Sequence, residues 1–151
     1  MPRMTIAFDD GQVIDVESSG PDFVFSAVLP PHHAGPPAHR HRRETEVFTV
    51  ESGLLVVRLG RERRLVVPGE TVSVPPGVTH AFANPGDEPT RLRTVERPAG
   101  PLQAQLRAMA PTGRPPLREL ARINAEHDFS FTVAGLPDAP QRVLWRLLAR
   151  L

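Results

Sequence analysis

Residues 46–60 read Glu46-Val47-Phe48-Thr49-Val50-Glu51-Ser52-Gly53-Leu54-Leu55-Val56-Val57-Arg58-Leu59-Gly60. Branched and aromatic residues fill the run up to Val50, and Leu and Val fill the run after Gly53, which is the composition of paired strands. Glu51-Ser52-Gly53 between them is turn chemistry, because Gly accepts positive φ without steric cost. The alternation continues in both directions. Downstream, Gly60-Arg61-Glu62-Arg63 turns into Arg64–Val67, and Pro68-Gly69-Glu70 turns into Thr71–Val74. Pro75-Pro76-Gly77 then leads to His80–Asn84, and the Pro- and Gly-marked stretch to Pro89 leads to Arg91–Arg97.

Upstream, Met4–Phe8, Gln12–Ser18 and Asp22–Leu29 read as extended runs separated by Asp9-Asp10-Gly11 and Ser19-Gly20-Pro21. In the third run both faces are apolar, so the pattern leaves the inward register of Phe23, Phe25, Ala27 and Leu29 open. About ten short strands with regular punctuation predict an all-β sandwich or barrel. After Pro98 the pattern changes. Leu102, Leu106 and Met109 fall at helical spacing, as do Leu117, Leu120, Ala121 and Ile123, and Gln141 to Leu151 reads as an amphipathic helix. Asp128-Phe129-Ser130-Phe131 is ambiguous. The expected organisation is a β-barrel domain over residues 1–99 and a helical C-terminal extension over 100–151, packed on the barrel or on a dimer partner.

A chain of 151 residues suits one main core and buries about 68–70% of its unfolded surface. It has no cysteine, which excludes disulfides, thiolate metal sites and thiol nucleophiles. Every basic side chain is Arg, the formal net charge is +1, and acidic residues are interspersed among the basic ones. The Arg40, Arg42, Arg43 and Arg61, Arg63, Arg64 clusters each have Glu nearby and no stacking aromatics between them, so no nucleic-acid partner is expected. No stretch reaches the ~20 apolar residues of a membrane span, and no apolar run near Met1 resembles a signal peptide. A cytoplasmic protein is the expectation.

Before the opening stretch lies Gly35-Pro36-Pro37-Ala38-His39-Arg40-His41. His39 and His41, one residue apart in an extended segment, project to one side, and Arg40 to the other. Glu46 sits at an odd offset from His41, so a turn or bulge over Arg42-Arg43-Glu44 has to bring it round. His80 follows the Pro75–Gly77 turn. Three imidazoles and one carboxylate suit a divalent first-row metal with positions left for water or substrate. Phe48 and Phe82, two residues beyond Glu46 and His80, face the same interior and serve as core or as pocket lining. His32, His33 and His127 read as solvated or entrance residues, Asn84 as a turn cap and Trp145 as a packing residue.

Residues 39–53, His39-x-His41-x4-Glu46-x6-Gly53, and residues 69–84, Gly69-x5-Pro75-x-Gly77-x2-His80-x3-Asn84, resemble the two motifs of the cupin superfamily position for position. The resemblance covers about residues 20–97. It implies a cupin (RmlC-like) jelly-roll β-barrel holding one metal ion through His39, His41, Glu46 and His80. Iron or manganese comes first, with zinc, nickel or cobalt as alternatives. The family's first motif usually begins with Gly six residues before the first His; here that residue is His33, and Gly35 follows two later. The tail around Arg122–Pro137 resembles, over a short stretch, the tails of small quercetinase-like bacterial cupins. Three readings follow from the resemblance: a metal-dependent dioxygenase in which Glu46 is ligand and general base, a non-oxidative isomerase, decarboxylase or cyclase using the metal as a Lewis acid, and a module that binds a small ligand without turnover. Similar cupins pair, so a homodimer is expected.

Overall fold

The computed structural model describes residues 4–112, 115–127 and 130–151. Ten strands precede the tail: β1 (Met4–Ala7), β2 (Val13–Ser19), β3 (Phe23–Leu29), β4 (His39–His41), β5 (Thr45–Ser52), β6 (Leu55–Leu59), β7 (Glu62–Val66), β8 (Thr71–Val74), β9 (His80–Ala83) and β10 (Thr90–Arg97). The tail contributes α1 (Leu102–Met109), α2 (Leu117–Glu126), β11 (Phe131–Val133) and α3 (Asp138–Leu148). The strands form two antiparallel sheets, ordered β1-β2-β3-β10-β5-β8 and β11-β4-β9-β6-β7. The fold is the cupin jelly roll.

The period-2 pattern decides what lies between the sheets. On β5, Glu46, Phe48 and Val50 are buried; on β10, Thr90, Leu92, Thr94 and Glu96 are buried. The register of β3, open in the sequence, resolves with Phe23, Phe25, Ala27 and Leu29 inward. Val24 and Val28 are only half-buried on the other face. The turn expected over Gly60–Arg63 is tighter than its sequence suggests. Leu59 pairs with Glu62, leaving Gly60-Arg61 as a two-residue hairpin loop with Gly60 at φ 58°.

Asn84 is buried and ties together the loops around it. Its Nδ2 donates to the carbonyls of Leu29 (3.3 Å), Pro30 (2.9 Å) and Glu88 (2.8 Å), and its Oδ1 accepts from Gly86 N–H (2.9 Å). Gly35 carries the left-handed conformation of the entrance loop (φ 68°), and a Cβ there would meet the Phe82 carbonyl oxygen at 1.7 Å. Only Gly fits that approach.

The tail folds back on its own barrel. Leu102, Leu106 and Met109 of α1 pack against the barrel core. β11, whose position the sequence left ambiguous, pairs with β4 in the register Phe131↔His41, Thr132↔Arg40, Val133↔His39. Asp128 and Phe129 of the ambiguous stretch lie outside the described residues. Each tail helix spends one buried amide side chain on residues 130–133. Gln105 of α1 donates to Ser130 Oγ (2.8 Å), and Asn124 of α2 donates to the Phe131 carbonyl (2.9 Å). Gln141 of α3 accepts from Val133 N–H (2.6 Å) and donates to the Val133 carbonyl (2.8 Å). Trp145, buried on α3, packs and donates to Gln141 Oε1 (3.0 Å). The last helix starts at Asp138, earlier than Gln141, because Pro140 falls in the first turn, where its missing N–H has no helical acceptor to lose.

Candidate metal centre

β4 and β9 lie side by side in the smaller sheet, with His39 and His80 as direct cross-strand partners. Glu46 comes from β5 in the other sheet. The change of side that its odd offset demanded is made by Arg42-Arg43-Glu44, which carries the chain from one sheet to the other. Ligand atoms of His39, His41, Glu46 and His80 all lie within 4.8 Å of one another. The four residues expected to converge do so, and the cluster could hold a metal ion.

Local hydrogen bonds set the ring orientations. His39 Nδ1 donates to the Pro37 carbonyl (2.7 Å) and His80 Nδ1 to the Val78 carbonyl (3.0 Å), leaving Nε2 of each as the ligand nitrogen. His80 Nε2 lies 2.8 Å from Glu46 Oε2, and His41 Nε2 lies 3.3 Å from the same oxygen. His41 Nε2 is buried and makes no well-aligned hydrogen bond, as expected of a donor atom shaped for an ion rather than for a protein partner. All-nitrogen-and-oxygen ligation from three imidazoles and one carboxylate fits a divalent transition metal.

The electrostatics agree. Burial, with the neighbouring His41 and His80, lowers His39 to about 4, so it is neutral near pH 7 and ready to ligate. Burial opposes charge on His41, but Glu46, with Glu96 and Glu44 behind it, outweighs burial and raises it. Burial likewise works against a charged Glu46, yet His41 and His80 overcome it and hold the carboxyl well below its ordinary range.

Two acidic residues that the sequence reading passed over stand behind His41. Ligand atoms of His41, Glu44 and Glu96 lie within 4.8 Å of one another. Glu96 Oε2 accepts from Gly100 N–H (3.2 Å), while Oε1 is buried without a partner. Burial first, opposed by Gly100 and reinforced by Glu46, pushes Glu96 up to about 7. The signal for it was present: Glu96 is in phase with Leu92 and Thr94 on the inward face of β10.

A chamber of about 800 Å³, its opening included, adjoins the cluster and is lined by His39, His41 and Glu46. Phe48 and Phe82 line it as well, their ring centroids 5.2 Å apart. The tail adds Leu102, Leu106 and Met109 from α1, Leu120 from α2, and Phe131 and Val133 from β11.

The remaining histidines are elsewhere. His32 meets Asp87 (2.8 Å) at the surface and His127 donates to the Ile123 carbonyl (2.6 Å). His33 is held by Asp10 (2.9 Å) rather than edging the chamber, whose loop wall is Pro36 and Pro37. Arg40 points away from the cluster and binds Asp138 (Nε to Oδ1, 2.9 Å) and the Leu136 carbonyl (3.0 Å), fastening the start of α3 to the metal-site strand.

A family profile described as a cupin domain matches residues 25–96. No curated protein matches the chain. Among solved structures, a sugar phosphate isomerase of the cupin superfamily from Silicibacter pomeroyi is 24% identical, with a TM-score of 0.55, over 60% of this chain and 61% of its own. TT1209 from Thermus thermophilus is 26% identical (TM-score 0.52; 64% of this chain, 83% of that one). KdgF from a Halomonas species is 18% identical (TM-score 0.56; 64% and 86%). The chain thus spans under two thirds of the isomerase's length, and the likeness to it is one of fold. No helix among the described residues is long and apolar enough to cross a membrane. The profile match spans both histidine motifs, and the strand order and the inward Glu46 accord with it; residues 25–96 form a cupin domain.

Proposed function

We propose that this cupin is a metalloenzyme acting on a small organic molecule, with dioxygenase chemistry of the quercetinase kind as the first reading. The observation that carries the proposal is Glu46: a buried carboxylate shared by His41 and His80, at the wall of a chamber otherwise lined largely by hydrocarbon. His39, His41, Glu46 and His80 would hold one divalent ion, iron or manganese first, with zinc, nickel or cobalt as alternatives. Such an ion supplies Lewis acidity and, if it is iron or manganese, one-electron chemistry with O2. Glu46 would accept the proton of a substrate hydroxyl, acting as ligand and general base. Phe48 and Phe82 keep water from that face of the cluster.

The second reading is non-oxidative: an isomerase, decarboxylase or cyclase in which the ion polarises a carbonyl. A donor set equally suited to zinc supports it. Ligand binding without turnover is the third. Exposed Val143, Leu147 and Leu151 favour a homodimer, and a cytoplasmic location belongs to the same reading.

Metal content after purification without added metal, followed by O2 uptake with flavonols, diketones and catechols, tests the proposal. O2 consumption by the iron or manganese form supports the dioxygenase. No uptake across the panel by metal-loaded protein overturns it in favour of the Lewis-acid reading. If His80→Ala removes the metal yet leaves the affinity for a bound ligand unchanged, the binding module is favoured.

A further inference from the structure

The chamber beside the cluster is selective in a way the cluster is not. Its ionisable lining side chains are His39, His41 and Glu46 alone, and no arginine is among its lining residues. Since the chain has no lysine, a phosphate or a second carboxylate brought into the chamber would find neither a guanidinium nor an ammonium group there. Four phenylalanines line the wall instead: Phe25, Phe48, Phe82 and Phe131. The tail closes this wall with aliphatic side chains, of which Leu106 and Met109 are examples. Its lining amides are Gln12 from the barrel and Gln105 from the tail, and Gln105 Nε2 is already committed to Ser130 Oγ (2.8 Å).

We infer that the chamber takes a ligand with an apolar, unphosphorylated ring body that meets the His/Glu cluster through an oxygen donor, and that α1 of the tail is the wall that selects it. Burying a hydrocarbon body against phenylalanine rings drives binding, and desolvating a phosphate among them, with no guanidinium or ammonium away from the cluster to meet it, opposes binding. The oxygen donor rests on the metal-centre reading above; the apolar body does not.

The test uses the full chain, metal-free and zinc-loaded, titrated calorimetrically with 1-naphthol and with glucose 6-phosphate. The expected result is that 1-naphthol binds the metal-free protein, binds more tightly with zinc, and outcompetes glucose 6-phosphate by at least tenfold in both forms. Leu106→Arg and Met109→Arg, each verified as folded by circular dichroism, are expected to weaken 1-naphthol at least tenfold; if one fails to fold, the other decides. Glucose 6-phosphate binding as tightly as 1-naphthol overturns the inference, as does 1-naphthol affinity unchanged in a folded variant. Zinc uptake without any 1-naphthol binding overturns it and leaves the metal centre standing. Binding of 1-naphthol without zinc uptake supports the apolar body and removes the metal centre.

Discussion

Glu46 and Glu96 are direct cross-strand partners on β5 and β10, and both carboxyls point between the sheets. They part company electrostatically. Glu46 has His41 and His80 against it, whereas Glu96 has one backbone N–H and an orphaned Oε1. Burial therefore pushes Glu96 up to about 7, from an ordinary value of 4.5. Its contribution to stability is present at pH values below 4.5 and lost as pH rises through about 7. His39 runs the other way: lowered to about 4 from 6.5, it contributes above pH 6.5, and that contribution is lost as pH falls through about 4. In the metal-free protein the two slopes oppose each other. Glu96→Gln is expected to remove the alkaline-side loss, so that the variant gains about 3 kcal/mol relative to the parent between pH 4.5 and 8. Urea unfolding at a series of pH values checks this; a constant difference between the two proteins would refute it.

Metal uptake should release a proton. His41 is raised by its carboxylate neighbours, so near neutral pH a proton competes with the ion for this ring. Zinc affinity is expected to climb by up to about tenfold per pH unit between pH 6 and 8 for each proton displaced. Competition titrations with a zinc indicator at pH 6, 7 and 8, in two buffers of different ionisation enthalpy, count those protons.

Gln141 carries more than its own helix. Its amide binds Val133 N–H and Val133 C=O in half-buried surroundings and the Trp145 indole in buried ones. Gln141→Ala strands these groups and is expected to cost about 3 kcal/mol. Amide hydrogen exchange should then speed up over residues 131–133 and α3 while β3, β5 and β10 stay protected. Uniform acceleration across both sheets would mean that the tail and barrel unfold as one unit.

Asn84 directs its hydrogen bonds to loop backbone groups. Asn84→Ala removes the donor for three loop carbonyls and is expected to lower stability by about 2 kcal/mol. Zinc affinity at 25 °C should stay within about threefold of the parent, the lost bonds lying outside the ligand set. Thermal melts and zinc titration of the same preparation separate the two effects.

The four-residue cluster was legible in the sequence because each ligand is fixed by its near neighbours. His39 and His41 share a face by strand period, Glu46 follows one short turn, and His80 follows Pro75–Gly77. The barrel strands were legible for the same reason, since alternation and turn residues act over a few positions. Two kinds of feature escaped. β11 has only the residues Phe131–Val133, and its meaning comes from pairing with a strand ninety residues earlier in the chain, for which no local pattern exists. Glu96 was in phase with the inward residues of β10, but a charged residue in that phase reads as a strand end until the burial around it is known.

The pairing of β11 with β4 makes docking of the tail and placement of the histidines a single equilibrium. Phe131 and Val133 wall the chamber while their backbones hold the strand that carries His39 and His41. Whatever fraction of molecules has this strand undocked has, at that moment, neither a closed chamber nor a fixed imidazole pair. Observed affinity for a ligand is then the intrinsic affinity scaled by the docked fraction, so substitutions on α2 or α3 that never touch the ligand will tune it. The Arg40–Asp138 pair, outside the chamber altogether, is such a control point.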